Sequence, residues 1–370
     1  MQVALVHDYF TQAGGAERVA EHLARLFPDA PIFSSVVDPA FLPRSLRDRD
    51  VRTTFVQPLA RRVPLAGLAP LMPAAFGQLD LREFDAVVSS SSGFAHHVRV
   101  RPDAVHLCYC HTPPRFLWDA DEYHRGQPIR RRALAPGRLA LRLIDRAAAA
   151  RVDGYLAVST HVAARIRSVY GRDASVVHPP VDVSAYRPSP FRSGRFLVVS
   201  RVRAYKRLDL AIAAANLARL PLDVIGDGPG LDELRRRAGP TVRILGRRPD
   251  AEVREALATC AGVVVPAAQD FGLTLVEALA SGRPPVAFAA GGAVEVVRDG
   301  VTGFLFRDQT PEAVARAMRR ALDEPLDPTV LVADAARFDG SGFGRAVLEA
   351  LAEAVAARRL APGWEGSGAS

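Results

Sequence analysis

A chain of 370 residues, 49% of them apolar, has material for two domain cores. Its longest apolar stretches, such as Leu257 to Ala268, fall short of the roughly 20 residues that a membrane span needs. Three cysteines exclude a disulfide framework, and a net charge of +8, almost all arginine, favours an anionic partner without choosing among nucleotide, lipid head group and nucleic acid.

The N-terminus enters VALVHD with neither a basic start nor a small-residue cleavage site, so no signal peptide and a cytoplasmic location are expected. Short apolar runs then alternate with helical patterns, the rhythm of parallel sheets covered on both faces. Strands are predicted at Val3 to Val6, Pro31 to Val36, Val51 to Phe55, Ala86 to Ser89, Val105 to Cys108, Tyr155 to Val158 and Val176 to Val177. A second series is predicted at Phe196 to Ser200, Leu222 to Ile225, Val242 to Leu245, Gly262 to Val265, Pro285 to Phe288 and Phe304 to Phe306. Between the series, His178 to Arg195 carries four prolines and reads as a linker. The expected organisation is an N-terminal domain over 1–184, a C-terminal domain over 185–343, a helix over 344–361 packing toward the first domain, and a disordered Gly/Ser tail over 362–370. Two such domains would turn the carboxyl ends of their strands toward a shared cleft.

Two segments break the rhythm. Val63 to Gly77 is apolar but holds Pro64, Pro70 and Pro73, so it is not one long helix; packing on its own domain is favoured over a greasy docking surface. From Arg125 through Arg130, Arg131, Arg132, Arg138, Arg142 and Arg146 to Arg151, with leucines between Leu139 and Ile144, the chain reads as a basic amphipathic helix, suited to anionic lipid or to a solvated face.

Lys206 is the only lysine among 48 basic residues. An ammonium meets a phosphate oxygen as a point charge where arginine presents a planar fork, so its survival points to a site where the two are not equivalent. Arg201 and Lys206 both leave the carboxyl end of a buried strand, where open α/β sheets bind ligands. Gly14 and Gly15 stand between a strand and a helix, letting backbone amides approach an anion. Gly226, Asp227, Gly228, Pro229 and Gly230 form a tight turn without dinucleotide spacing, since Leu231 stands at the third glycine; this counts against a nicotinamide or flavin enzyme. After Val263 to Val265 the chain turns through Gln269, Asp270, Phe271 and Gly272 into a helix whose first amides, near Leu273 and Thr274, could carry phosphates. Glu277 could accept two sugar hydroxyls at once. Cys108, Cys110 and His111 are not a metal site, lacking a second pair; Asp48 with Asp50 and Asp119 with Asp121 read as structural.

In order, Gly14-Gly15-Ala16-Glu17-Arg18, Ser200-Arg201 with Lys206-Arg207, Gly226-Asp227-Gly228-Pro229, Asp270-Phe271-Gly272 with Glu277, and Gly291-Gly292 with Glu295 make the chain resemble the retaining glycosyltransferases of family 4. The segment CYCHTPPRFLWD, Cys108 to Asp119, resembles a subgroup of mannosyltransferases of O-antigen and capsule assembly. The resemblance implies an α/β GT-B fold of two Rossmann-like domains. It implies that Arg201 and Lys206 bind the donor diphosphate, that Glu277 holds the ribose, and that His111 lies near the donor sugar. Asp270, Phe271, Gly272, Leu273, Thr274, Gly226 and Gly15 would line the donor, and Gly14, Glu17 and Arg115 the acceptor side. Gln269 stands where the family carries a glutamate, with seven residues before Glu277; it keeps hydrogen-bonding reach without the charge. The implied reaction is transfer of a hexose with retention by front-face attack, from GDP-mannose, to a glycan or lipid-linked acceptor, without metal or other cofactor and without nucleic acid. Alternatives are a UDP-sugar donor, a nucleotide-sugar epimerase, and a non-catalytic polyanion-binding protein.

Overall fold

Apolar runs of valine, isoleucine and phenylalanine too short for helices become strands when both faces are covered. In the computed structural model, which describes residues 1–123, 125 and 135–360, they build two parallel sheets in two separate units. The first unit gathers Met1–Asp121, the chain onward to His178, and the residues from Ser341; the second gathers Pro179–Gly340 with the short stretch about Tyr123.

The described residues of the first unit contain β1 (Val3–His7), β2 (Ile32–Ser34), β3 (Val51–Thr53), β4 (Ala86–Ser91), β5 (Val105–Cys110), β6 (Gly154–Ala157) and β7 (Ser175–Val176). Their order is β3-β2-β1-β4-β5-β6-β7, all neighbours parallel. The connection direction reverses between β1 and β4, which makes a switch point at their carboxyl ends. Segment 63–77 folds as short helical turns, Leu65–Leu68, Ala69–Leu71 and Met72–Gly77, as its prolines require. Leu68, Met72, Ala75 and Phe76 bury there with Val6, Phe33 and Val87, so the segment closes its own core. Burial of the larger side chains stabilises by roughly 1.5–3 kcal/mol each. The C-terminal helix Gly340–Leu360 starts four residues before the predicted point: Phe343, Val347 and Leu351 bury on one face and outweigh the local glycines.

The second unit holds β8 (Phe196–Val199), β9 (Leu222–Ile225), β10 (Val242–Gly246), β11 (Gly262–Val265), β12 (Pro285–Phe288) and β13 (Phe304–Phe306), in the parallel order β10-β9-β8-β11-β12-β13. Val198, Val224, Val264, Ile212 and Met318 share its core. Here the direction reverses between β8 and β11. The proline-rich stretch after His178 contains a single described turn of helix, Val183–Ala185. The predicted tail and Arg130, Arg131 and Arg132 lie outside the described residues.

Candidate functional site

At the switch point of the second sheet, the loops after β8 and β11 bring Lys206 and Gln269 together, although 63 positions separate them in the chain. Lys206 closes a 3-10 turn, Ala204–Lys206, and its Nζ donates to Gln269 Oε1 at 2.5 Å. Gln269 Nε2 in turn donates to the Ala267 carbonyl at 2.9 Å, which fixes the amide with its oxygen toward the lysine. An amide oxygen holds the ammonium without cancelling its charge, whereas a glutamate would form an ion pair. Lys206 Nζ also stands 5.6 Å from the Tyr205 ring centroid, and Tyr205 stacks on Tyr123 at 5.7 Å. Arg201 is exposed on the same loop.

Glycine makes these loops fit. Gly226, φ +151°, lies so close to the end of β8 that an added Cβ would meet the Ser200 carbonyl oxygen at 1.8 Å. Gly291, φ +67°, and Gly292 let the loop after β12 lie against the 269–271 turn: Gly292 N donates to the Gln269 carbonyl at 2.8 Å, and a Cβ at 292 would stand 2.4 Å from Phe271 Cα. Gly272 caps the helix Leu273–Ala280 in the left-handed region, leaving Leu273 and Thr274 half-exposed at its start. Glu277, in the second turn, is 6% exposed. Phe271 turns inward against Phe338, ring centroids 5.4 Å apart, so its side chain belongs to the core and only its backbone serves the turn.

The first unit fills its own switch point. Asp8, just past β1, lays its carboxylate across the loop after β4 and accepts from the backbone N–H groups of Ser92 (2.5 Å), Gly93, Phe94 and Ala95 (2.8 Å each). Burial pushes its pKa up, and the amides of Ser92 and Ala95 oppose that. An anion cradle of backbone amides is thus already occupied by the protein's own carboxylate. Nearby, Glu17 is buried beneath Gly14: Gln12 Nε2 donates to its Oε1 at 3.2 Å, and a Cβ at 14 would press on Oε2 at 2.8 Å. Glu17 therefore holds the turn between Gly14 and Gly15, and its carboxylate is not presented on the surface. His111, half-buried at the end of β5, meets Ser90 Oγ with Nε2 at 2.9 Å, and the same hydroxyl meets His7 Nδ1 at 3.1 Å. Burial, then the neighbouring His111, push His7 down to about 3. Arg115 opens the short helix Arg115–Trp118. Sequence reasoning missed His7, Asp8 and Ser90; the weak signals were an aspartate directly after a strand and the small-residue run Ser89 to Gly93.

A second cluster carries no sequence signal at all. Asp145, fully buried, receives Trp118 Nε1 at 2.7 Å and Tyr170 OH at 2.8 Å on Oδ2, while His96 Nε2 and His97 Nε2 stand 3.1 and 3.0 Å from Oδ1. Burial would raise its pKa, but the two imidazoles hold it well below the carboxylate range. Among the described residues these three are the one group with the spacing of metal ligands, and hydrogen bonds already engage the carboxylate on both oxygens. Cys108 and Cys110 are buried and not disulfide-bonded, and Asp119 pairs with Arg165 at 2.5 Å. On the helix Ala135–Ala149, which carries Asp145, half-buried Arg142 and exposed Arg146 lie over the Trp118 ring at 5.1 and 5.0 Å. Leu139, Leu143 and Ile144 are 63%, 64% and 48% exposed. Among the described residues no helix is long and apolar enough to cross a membrane.

Residues 13–185 match Glycosyltransferase Family 4, and residues 193–324 match Glycosyl transferases group 1. A D-inositol 3-phosphate glycosyltransferase of Catenulispora acidiphila is 31% identical over 234 residues, 54% of this chain and 56% of that protein. One of Mycobacterium tuberculosis is 34% identical over 179 residues, 40% of this chain and 37% of its own length. The chain thus spans about half the length, or less, of the curated relatives it matches. Among solved structures, Anabaena HepE in complex with UDP-glucose superposes with a TM-score of 0.70 at 21% identity, covering 95% of this chain and 100% of that one. Sucrose-phosphate synthase from Thermosynechococcus elongatus gives 0.73 at 17%, covering 96% and 100%. The fold is GT-B, and on it the chain carries a Glycosyltransferase Family 4 domain followed by a glycosyl transferases group 1 domain.

Proposed function

We propose that the protein is a retaining glycosyltransferase that moves a hexose from a nucleotide sugar to a glycan or lipid-linked acceptor in cell-surface polysaccharide synthesis. The observation that carries this reading is the meeting of Lys206 with Gln269 at the switch point of the second sheet. A departing nucleoside diphosphate develops negative charge. Lys206, held by the Gln269 amide oxygen, and Arg201 meet that charge together with the amides at the start of the helix Leu273–Ala280. Glu277 holds the ribose hydroxyls, Gly226 and Gly272 let the backbone come close, and Gln269 and Asp270 face the sugar. These cations take the part that a divalent metal plays elsewhere. In the first unit, His111 is fixed through Ser90, and Gly14, Gly15 and Arg115 are assigned to the acceptor. Attack by the acceptor on the face the diphosphate leaves retains the anomeric configuration.

GDP-mannose is the preferred donor, on the likeness of the Cys108-to-Asp119 segment to mannosyltransferases. A UDP-sugar is the second reading, favoured by the fold's likeness to a protein that holds UDP-glucose. The acceptor surface extends to the membrane: the exposed Leu139, Leu143 and Ile144, flanked by Arg142 and Arg146, suit an anionic bilayer. The test of donor identity is thermal stabilisation of the purified protein by nucleotides and nucleotide sugars. GDP-mannose should raise the melting temperature most. A larger rise with a UDP-sugar replaces the donor, and no rise with any of them leaves the polyanion-binding alternative. Free epimerised sugar nucleotide without an acceptor would mark an epimerase.

A further inference from the structure

The segment that follows β5, from His111 to Asp119, carries both His111 and Arg115, and it is fastened at its two ends by different means. At its start, His111 N donates to the Ser91 carbonyl at 2.8 Å, continuing the ladder between β4 and β5. At its end, Phe116 packs on Phe94, and the polar contacts come from one helix and the helix after it: Trp118 donates to Asp145, Arg142 Nε donates to the Leu117 carbonyl at 2.7 Å, Arg142 and Arg146 cover the Trp118 ring, and Arg165 pairs with Asp119. Pro113 and Pro114 stiffen what lies between, so a displacement at Trp118 passes to Arg115 and His111 with little loss.

From this geometry we infer that Asp145 is a positioning residue for the proposed transfer, holding Trp118 so that the His111-to-Arg115 segment keeps the placement the reaction needs. Resting on the function proposed above, this adds to it a residue that touches no substrate. Asp145 suits the part because it is saturated. Two donors, Trp118 and Tyr170, share one oxygen, and the two histidines of the turn Ala95–His97 stand against the other. Ser91 Oγ, one residue from Ser90, meets His96 Nδ1 at 3.1 Å and joins this cluster to the strand that also supports His111. The Trp118 and Tyr170 bonds look alike at the carboxylate, but only Trp118 belongs to the segment; Tyr170 ends a separate helix, Thr160–Tyr170.

That difference gives the test. In the full chain, Asp145→Asn is the direct variant but removes a buried charge from beside two imidazoles, so Trp118→Phe and Tyr170→Phe are compared, each deleting one donor to the same oxygen. The readouts are the melting temperature, the dissociation constants of GDP and UDP, and kcat and KM for nucleoside diphosphate release from GDP-mannose and UDP-glucose. Both variants should lose a few degrees of melting temperature and keep nucleotide affinity within about twofold. Trp118→Phe should lower kcat at least tenfold with KM unchanged, while Tyr170→Phe stays within threefold of wild type. Equal effects of the two on kcat, or a Trp118→Phe kcat within threefold of wild type, would overturn the inference. Wild-type protein that neither binds GDP or UDP nor releases them overturns the proposed function itself, and the positioning role with it.

Discussion

Lys206 is conspicuous in the chain because a protein that uses arginine for every other cation keeps one lysine, and a guanidinium is a poor replacement for a point charge. The fold gives it a partner: the amide oxygen of a glutamine, which accepts from the ammonium. Lys206→Ala is expected to remove most transferase activity while leaving the melting temperature within a degree or two, read by a nucleoside diphosphate release assay beside a thermal melt. Gly226→Ala is expected to act oppositely, through the fold: its Cβ has no room beside the Ser200 carbonyl, and a destabilisation above about 2 kcal/mol should show as a lower urea midpoint. The strand-end loops that carry Lys206 and Gln269 were legible in the chain, as was the helix that carries Glu277. Asp8 and Asp145 were not, since each takes its meaning from partners brought in by the fold: Asp8 from amides 84 to 87 positions away, Asp145 from His97 at 48, Trp118 at 27 and Tyr170 at 25.

At the scale of elements, strands were the most readable, because a valine- and isoleucine-rich run bounded by turn residues leaves little choice in a βα chain. The helix Ala135–Ala149 was readable as a helix but not in its orientation. Its arginines looked like the solvent face; in the structure Arg142 and Arg146 lie over Trp118, and Leu139, Leu143 and Ile144 stand outward beside the still exposed Arg146, an arrangement no periodicity reveals. Replacing Leu139, Leu143 and Ile144 together by serine is expected to cut co-flotation with phosphatidylglycerol vesicles at least fivefold without lowering the melting temperature. Unchanged flotation would detach this face from membrane docking, and a lower melting temperature would mean that the leucines belong to an interior.

Across the whole molecule, the first unit buries an unusual set of histidines. Burial, and then the charge of His96, hold His106 near 3; burial likewise takes His97 to about 4, against the pull of Asp145, and His7 lies near 3. An unfolded histidine takes its proton near pH 6.5, so these three contribute stability that is complete above that pH and is lost as the pH falls toward their folded values, about 4 for His97 and about 3 for His7 and His106, each by up to about 1.4 kcal/mol per pH unit. His96 works in the other direction: burial lowers its pKa, but Asp145 more than reverses that, and its contribution is complete below pH 6.5 and lost as the pH rises through its folded value. Three against one, the urea midpoint of the first unit is expected to fall from pH 7 to pH 5; a midpoint that rises over this interval would contradict the burial of neutral His7, His97 and His106.

The central claim is that the second unit holds a nucleoside diphosphate through Lys206 and Arg201, and calorimetric titration of GDP and UDP into wild type, Lys206→Ala and Arg201→Ala measures it directly. The account predicts saturable binding of one of these nucleotides by wild type, weakened at least tenfold by either substitution. Binding that both variants retain, or no binding by the wild type at all, would contradict it.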